Sequence, residues 1–263
     1  MRILLRVAYD GTEYFGYQIQ PKGRTIQACL EAAASDLFGC PVHMTGGSRT
    51  DSGVHSYGNP VVFDIDTRMR PESIAPALNT RLPDDITVMS SDAVADDFSP
   101  HAIPSRKTYE YRIVCARYVY PTEKRYMYHM HIDLDTERMR RAGEYLVGEH
   151  DFTSFSSPKA QVISRVRTIY SLNVSEKTII SDKGDMSLPD GARRYITIRV
   201  TGNGFLYNMV RIISGTLIDA GRGRIAPSSV PEILAGKDRR LAGPTVPPQG
   251  LFLMGTKFER KQE

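Results

Sequence analysis

The chain has 263 residues, 41% of them hydrophobic and 24% charged, with a mean hydropathy of −0.32. That is globular composition at a length that can bury a full core, as one large domain or two smaller ones. No run approaches the roughly 18 apolar residues of a membrane span. A net charge of +4 with a pI near 8.9 is compatible with a nucleic-acid partner without demanding one. Three cysteines, Cys29, Cys40 and Cys115, have no C-x-x-C spacing and indicate neither a disulfide framework nor a zinc site. The N-terminal "MRILLRVAYDG" carries charges inside its apolar stretch and no small-residue cleavage site. It does not read as a signal peptide, and the expected location is the cytoplasm.

In chain order, "RILLRVAYDG" predicts a strand ended by the turn pair Asp10-Gly11. Thr25 is a helix N-cap, followed at helical spacing by Ile26, Leu30, Ala33 and Leu37, with a stop at Gly39. "PVHMTG" and "PVVFDID" read as strands flanking a polar loop. A short helix over 71 to 82 persists despite Pro76, and "DITVMSSDAVAD" is another strand. "SRKTYEYRIVCARY" alternates, placing Tyr109, Tyr111, Ile113 and Cys115 on one face. A helix follows over 135 to 147. Strands near 165 to 176 and 193 to 202 are joined by a hairpin through "EKTIISDKGDMSLPDGA". "FLYNMVRIISGTLIDAG" predicts a helix ending at Gly221. A short helix near 228 to 235 and a last strand, "GLFLMGTKF", close the chain. The order strand-helix-strand-strand-helix-strand occurs roughly twice. It predicts an α+β protein with a largely antiparallel central sheet built from two related halves, residues 1–104 and 105–263, with helices on one face.

The loop "GGSRTDSGVHS" (46–56) is made of turn residues around one carboxylate, Asp51. A bland polar turn and a carboxylate held on a loop for chemistry both fit those letters. Familiar catalytic signatures are absent: there is no G-x-S-x-G elbow, P-loop or complete G-x-G-x-x-G. His129 and His131 lack a third ligand nearby in sequence, so no metal is expected. Asp51, Ser52 and His55 lie too close on one loop to align as a triad. A second anomaly is Arg211, the one charge in the apolar body of its helix. An unpaired buried guanidinium costs several kcal/mol, so such an arginine either snorkels to the surface or has a carboxylate partner, for which Asp51 is a candidate.

Six segments in order resemble the tRNA pseudouridine synthase A family over essentially the whole chain. They are Tyr9–Gln18 ("YDGTEYFGYQ", with Tyr17 where the family has Trp), Ser48–Ser56 around Asp51, and "KTYEY" from Lys107 to Tyr111. "HDFTSF" (150–155), "FLYNMVRIISGTL" (205–217) and "GLFL" (250–253) complete the set. Resemblance to this family implies a pseudouridine-synthase-like fold and a cofactor-independent isomerase that converts uridine to pseudouridine. Its target is the anticodon stem-loop of tRNA, at positions 38 to 40. Asp51 is then the nucleophile on a flipped-out uridine, Arg211 its ion-pair partner, and Tyr109 the aromatic that stacks on the base. Arg49 helps to flip the nucleotide. Arg106, Lys107, Arg165, Arg167, Arg222 and Arg224 are candidates for binding RNA phosphates, each equally readable as an ordinary solvated surface charge. A homodimer with tRNA across both subunits is also implied.

The chemistry asks for these residue types. An arginine cannot lose its proton and grips a carboxylate through two donors. A base in a stem must leave the stack to be reached, and an aromatic face replaces the stacking it loses. Departures lie at Ser48, Ser52 and Ser56, where the family has Gly or Ala, at His101 for Arg, and at Asn59-Pro60 for Gln-Val. A tRNA-binding protein that folds its ligand without modifying it would keep the basic and aromatic surface while using Asp51 and Arg211 only structurally. A carboxylate-pair glycosidase would need a second acid beside Asp51, and this loop has none.

Overall fold

The computed structural model describes residues 1–158, 162–181 and 191–259. Its strands and helices are β1 (Arg2–Tyr9), α1 (Ile26–Phe38), β2 (Thr45–Gly46), β3 (His55–Asp64), α2 (Pro71–Asn79), β4 (Ile86–Val94), β5 (Ser105–Cys115) and α3 (Pro121–Tyr126). They continue with β6 (Tyr128–Met130), α4 (Thr136–Glu144), β7 (Gly148–Asp151), β8 (Val166–Ser181), β9 (Gly191–Gly202), α5 (Met209–Gly221), α6 (Val230–Gly236) and β10 (Leu251–Phe258). The protein is mixed α/β, with a large, mostly antiparallel sheet and several helices. Chain contacts define two compact units: Met1–Lys107 with the segment from Phe252 onward, and Thr108–Leu251.

In the first unit the strand order is β4-β1-β3-β10, with β2 added beside β3. Strand β1 pairs antiparallel with β3 (Ile3↔Phe63, Leu5↔Val61) and with β4. Ile3, Leu5 and Val7 alternate into the core, where they join Ile26, Leu30, Ala33 and Ala34 of α1 and Ile74 and Leu78 of α2. The boundaries of α1 follow local chemistry: the Thr25 hydroxyl accepts from the Ala28 N–H, and Gly39 ends the helix at φ 68°. The expected strand "PVHMTG" is paired only at Thr45–Gly46, and β3 begins earlier than its apolar run, at His55. Helix α2 is tied to its neighbouring strand through one side chain. The buried Ser91 hydroxyl of β4 accepts from Ala75 N at 2.8 Å and donates to the Pro71 carbonyl at 2.6 Å, bridging the two groups that a regular helix would pair directly.

In the second unit the order is β5-β9-β8-β7, with β6 parallel to β5. Strands β8 and β9 pair antiparallel from Ile169↔Gly202 to Ser181↔Gly191, longer than their apolar letters predicted. The tip of that expected hairpin lies outside the described residues. Strand β5 buries Tyr109, Tyr111, Ile113 and Cys115 as its alternation predicted. It also buries Glu110 on the opposite face, where Arg112 (2.8 Å) and Arg199 (2.7 Å) hold it. Burial alone would raise the Glu110 pKa, but the two guanidinium hydrogen bonds outweigh it and keep the carboxyl below its ordinary value. Helix α5 starts at Met209, not Phe205: Asn208 sits in the left-handed region (φ 63°) and the Met209 N–H bonds the Leu206 carbonyl in a turn. Its neighbour α4 meets it through Arg138, whose Nε donates to the Ala220 carbonyl at 2.9 Å.

Ser91→Ala is expected to cost about 1–3 kcal/mol, the penalty for leaving the Ala75 N–H and the Pro71 carbonyl buried without their bridge. Urea denaturation of the two proteins checks this.

Candidate active site

Asp51 lies on the loop between β2 and β3, half-buried, between buried Thr50 and exposed Ser52. The loop is held by the segment that follows β1. Tyr17 N donates to the Thr50 carbonyl at 3.1 Å, Gly53 N to the Tyr14 carbonyl at 3.3 Å, and the Ser52 hydroxyl to the Tyr14 carbonyl at 3.0 Å. These two stretches of backbone approach too closely for side chains between them. A Cβ on Gly11 would stand 2.0 Å from the Val54 carbonyl oxygen, and one on Gly16 2.8 Å from that of Thr50. On the other side, a Cβ on Gly46 would meet the Tyr17 ring at 2.3 Å. Gly11 and Gly16 thus let the backbone of "YDGTEYFGYQ" touch that of Val54 and Thr50, and Gly46 leaves room for the Tyr17 ring.

Polar side chains complete the mounting. Asn59, fully buried on β3, accepts from Ser48 N at 3.1 Å through Oδ1 and donates to the Ser48 carbonyl at 2.9 Å through Nδ2. One side-chain amide thereby mimics a strand partner for the residue three before Asp51. The Tyr9 hydroxyl lies 2.7 Å from the Thr50 hydroxyl, immediately before Asp51. His55 is buried at the start of β3; its Nδ1 accepts from Gly11 N at 3.1 Å, lies 3.0 Å from Asp10 Oδ1, and its ring stacks on Phe252 at 4.6 Å. The sequence reading missed the roles of Asn59 and Phe252. An amide interrupting the apolar run "NPVVF" was the available signal for Asn59; nothing local marked Phe252.

The surroundings of the loop are basic. Arg49 is exposed, two residues before Asp51. Lys107 sends Nζ to the Gly47 carbonyl at 2.6 Å, and its burial lowers its pKa. His101 is depressed by partial burial and then by the Lys107 and Arg49 charges, against a backbone hydrogen bond with Gly46 that acts the other way. Arg106 reaches Glu259 at 2.9 Å on the exposed side of β5.

Tyr109 and Arg211 belong to the second unit. Tyr109 is buried on β5, edge-on to Phe205 at 5.2 Å between centroids. Arg211 is half-buried in a helix whose flanking residues, Val210 and Ile212, are buried. Its Nε donates to the Val246 carbonyl at 2.8 Å and Nη1 to Asn208 Oδ1 at 2.8 Å, so the plane of the guanidinium is fixed. The 243–247 segment can supply that carbonyl because it runs directly over α5: a Cβ on Gly215 would lie 1.9 Å from the Pro244 oxygen. His129 and His131 meet edge-on, with ring centroids 4.2 Å apart. Among the described residues no group of three or more His, Cys, Asp or Glu could hold a metal ion, and no helix is long and apolar enough to cross a membrane.

Residues 6–101 and 142–259 match the family described as tRNA pseudouridine synthase. Over 259 residues the chain is 43% identical to tRNA pseudouridine synthase A of Exiguobacterium sp., covering 98% of each chain. It is 41% identical over 256 residues to the tRNA pseudouridine synthase A of Bacillus licheniformis, spanning 96% of this chain and 97% of that one. The Bacillus subtilis tRNA pseudouridine synthase A is 39% identical over 261 residues, spanning 98% and 100%. The chain belongs to the tRNA pseudouridine synthase family, in its A-type branch, whose reaction is isomerisation of uridine to pseudouridine in tRNA. Asp51 and Arg211 fall inside the two matched segments and Tyr109 between them.

Two outcomes follow from the packing. Gly11→Ala is expected to lose about 3 kcal/mol, since both partners of the clash are backbone and neither can turn away; thermal melts check this. The second concerns buried phenols. Burial pushes Tyr9 up to about 12, against its hydrogen bonds to Thr50 and Asn59, and pushes Tyr14 and Tyr17 higher still. Their stabilising contribution is full below the unfolded value near 10 and is lost as pH rises through the folded values. Urea midpoints should therefore fall above about pH 10, while ultraviolet titration shows these phenols ionising late.

Proposed function

We propose that Asp51 is the nucleophile acting on a uridine flipped out of the anticodon stem-loop, at positions 38 to 40 of the tRNA. The observation that carries this reading is the mounting of Asp51: backbone contacts, the Asn59 amide and the Tyr9 hydroxyl all converge on a loop whose one carboxylate stays half-exposed. A turn needing only to reverse the chain has no use for so many constraints, whereas a catalytic carboxylate must be held within about 0.5 Å of its productive position.

The reaction breaks the C1′–N1 bond of uridine, rotates the freed base and forms C1′–C5. The C5 hydrogen leaves as a proton and N1 gains one, so no redox partner or group donor is needed. An ionised carboxylate supplies the electron pair that carries the intermediate. In this reading Arg211 is the ion-pair partner that keeps Asp51 charged where water is excluded, which its always-protonated, oriented guanidinium suits. Tyr109 stacks on the extruded uracil, Arg49 helps to extrude it, and Arg106 adds a phosphate contact. We further read the element order as two related halves meeting near residue 104 with helices on one face, and the working form as a cytoplasmic homodimer.

Tritium release from tRNA labelled at C5 of uridine tests the assignment. Wild type should release tritium, and replacing the uridines at 38 to 40 should abolish the release. Asp51→Asn should bind tRNA yet be slower by about 10⁴-fold or more. Tyr109→Leu should lose roughly tenfold, the value of one stacking contact, and Tyr109→Phe much less. Equal release by wild type and Asp51→Asn would reduce Asp51 to a turn residue. Binding without release by either protein would favour a tRNA-binding role alone.

A further inference from the structure

Lys107 has an anomalous environment for a residue expected at an RNA phosphate. Its side chain is half-buried, and its Nζ donates at 2.6 Å to the carbonyl of Gly47, four residues before Asp51. A phosphate-binding lysine keeps its ammonium in water until the anion arrives. Here part of the ammonium's donor capacity is already spent on the protein, and burial has been tolerated to place it there, as its lowered pKa reflects.

Three anchors act on consecutive peptide groups of this approach segment. Gly47 N donates to the Pro60 carbonyl at 2.7 Å, the Gly47 carbonyl accepts from Lys107, and Ser48 is held at both backbone groups by Asn59. The first and third come from β3; Lys107 is the one that comes from β5. Gly47 offers no side chain of its own, and a Cβ there would stand 2.8 Å from the Pro60 ring. Its carbonyl is engaged by a long donor reaching in from β5. Charge adds a second effect: His101 is lowered first by its burial and then by the Lys107 charge held nearby.

We infer that Lys107 is a positioning residue of the Asp51 loop, its ammonium holding the Gly47 carbonyl so that the carboxylate stands at its working height, and that it does not serve as a phosphate contact. The inference rests on Asp51 being the nucleophile. In the bound complex the Lys107–Gly47 bond persists and tRNA affinity comes from other cations.

The test separates turnover from binding in full-length protein, using wild type, Asp51→Asn, Lys107→Met and Lys107→Arg. Single-turnover tritium release is measured at saturating tRNA, and affinity for the same tRNA over a range of salt. Lys107→Met keeps the aliphatic stem and loses the donor; its rate should fall about ten- to a hundredfold, the range expected for a misplaced reacting group. Its affinity should stay within about twofold, with the salt slope unchanged. Lys107→Arg keeps a charged donor and should recover most of the rate. Should the methionine variant fail to fold, Lys107→Leu, which likewise has no donor, is measured in its place with the same expectations. A variant with normal saturating rate but weaker binding and a salt slope reduced by about one makes Lys107 a phosphate ligand and overturns the inference. Unchanged rate and unchanged affinity overturn it as well. If Asp51→Asn retains wild-type rate, the nucleophile assignment fails instead, which the Lys107 variants cannot mimic.

Discussion

The arrangement of the first unit depends on one contact in which two backbones touch without side chains between them. Gly11 and Gly16 lie against Val54 and Thr50 at separations that exclude even a methyl group. Interiors pack at the density of organic crystals, so a contact of this kind admits one relative placement and no sliding. Hydrogen bonds from Tyr17, Gly53 and Ser52 then have fixed lengths to satisfy, and they do so within 3.0–3.3 Å. Asp51 inherits its position from this contact more than from its own immediate neighbours. That explains why two motifs some 35 residues apart in sequence carry so many small residues in common.

The second unit solves the same problem around a cation. Arg211 stands in a helix that is otherwise nearly all buried, where an unsatisfied guanidinium would be costly. Its setting again depends on a glycine, since Gly215 lets the chain at Pro244 pass directly over the helix and brings the Val246 carbonyl to Nε. Asn208, forced into a left-handed conformation at the helix start, supplies the second acceptor. Strain at one residue and the absence of a side chain at another are offset by an arginine with a defined plane. If Arg211 serves as proposed, its pre-set plane suits it, because electrostatic stabilisation requires groups that do not reorganise during the reaction.

Buried polar side chains divide along the same lines. Asn59, Tyr9 and Lys107 all engage the loop ahead of Asp51, whereas Glu110 with Arg112 and Arg199 is an enclosed ionic cluster on the far face of β5. The first group acts on the backbone that leads into Asp51. The second satisfies its own buried charge and stiffens a strand. Neither group could be separated from surface charge by its letters, since Lys107, Arg112 and Arg199 are ordinary basic residues in alternating strands.

Where a structural decision rests on residues adjacent in the chain, the letters contained it. Thr25 and Gly39 bound α1 because capping is local hydrogen bonding and local φ, and β1 and β5 show their buried faces because alternation has a period of two. The carboxylate in "GGSRTDSGVHS" and the arginine in an apolar helix stood out for the same reason. The misreadings fell where distant groups intervene. "PVHMTG" has strand composition, yet only Thr45–Gly46 finds a partner; Asn208 delays α5 by a turn; α3, β6 and β7 are too short to leave a periodic trace. The sequence by itself determined most of the element types and the family. Only the tertiary structure decided that Asn59 serves Ser48, that Phe252 lies on His55 and that Lys107 faces inward, because each of those contacts joins positions set together by packing, which no local pattern encodes.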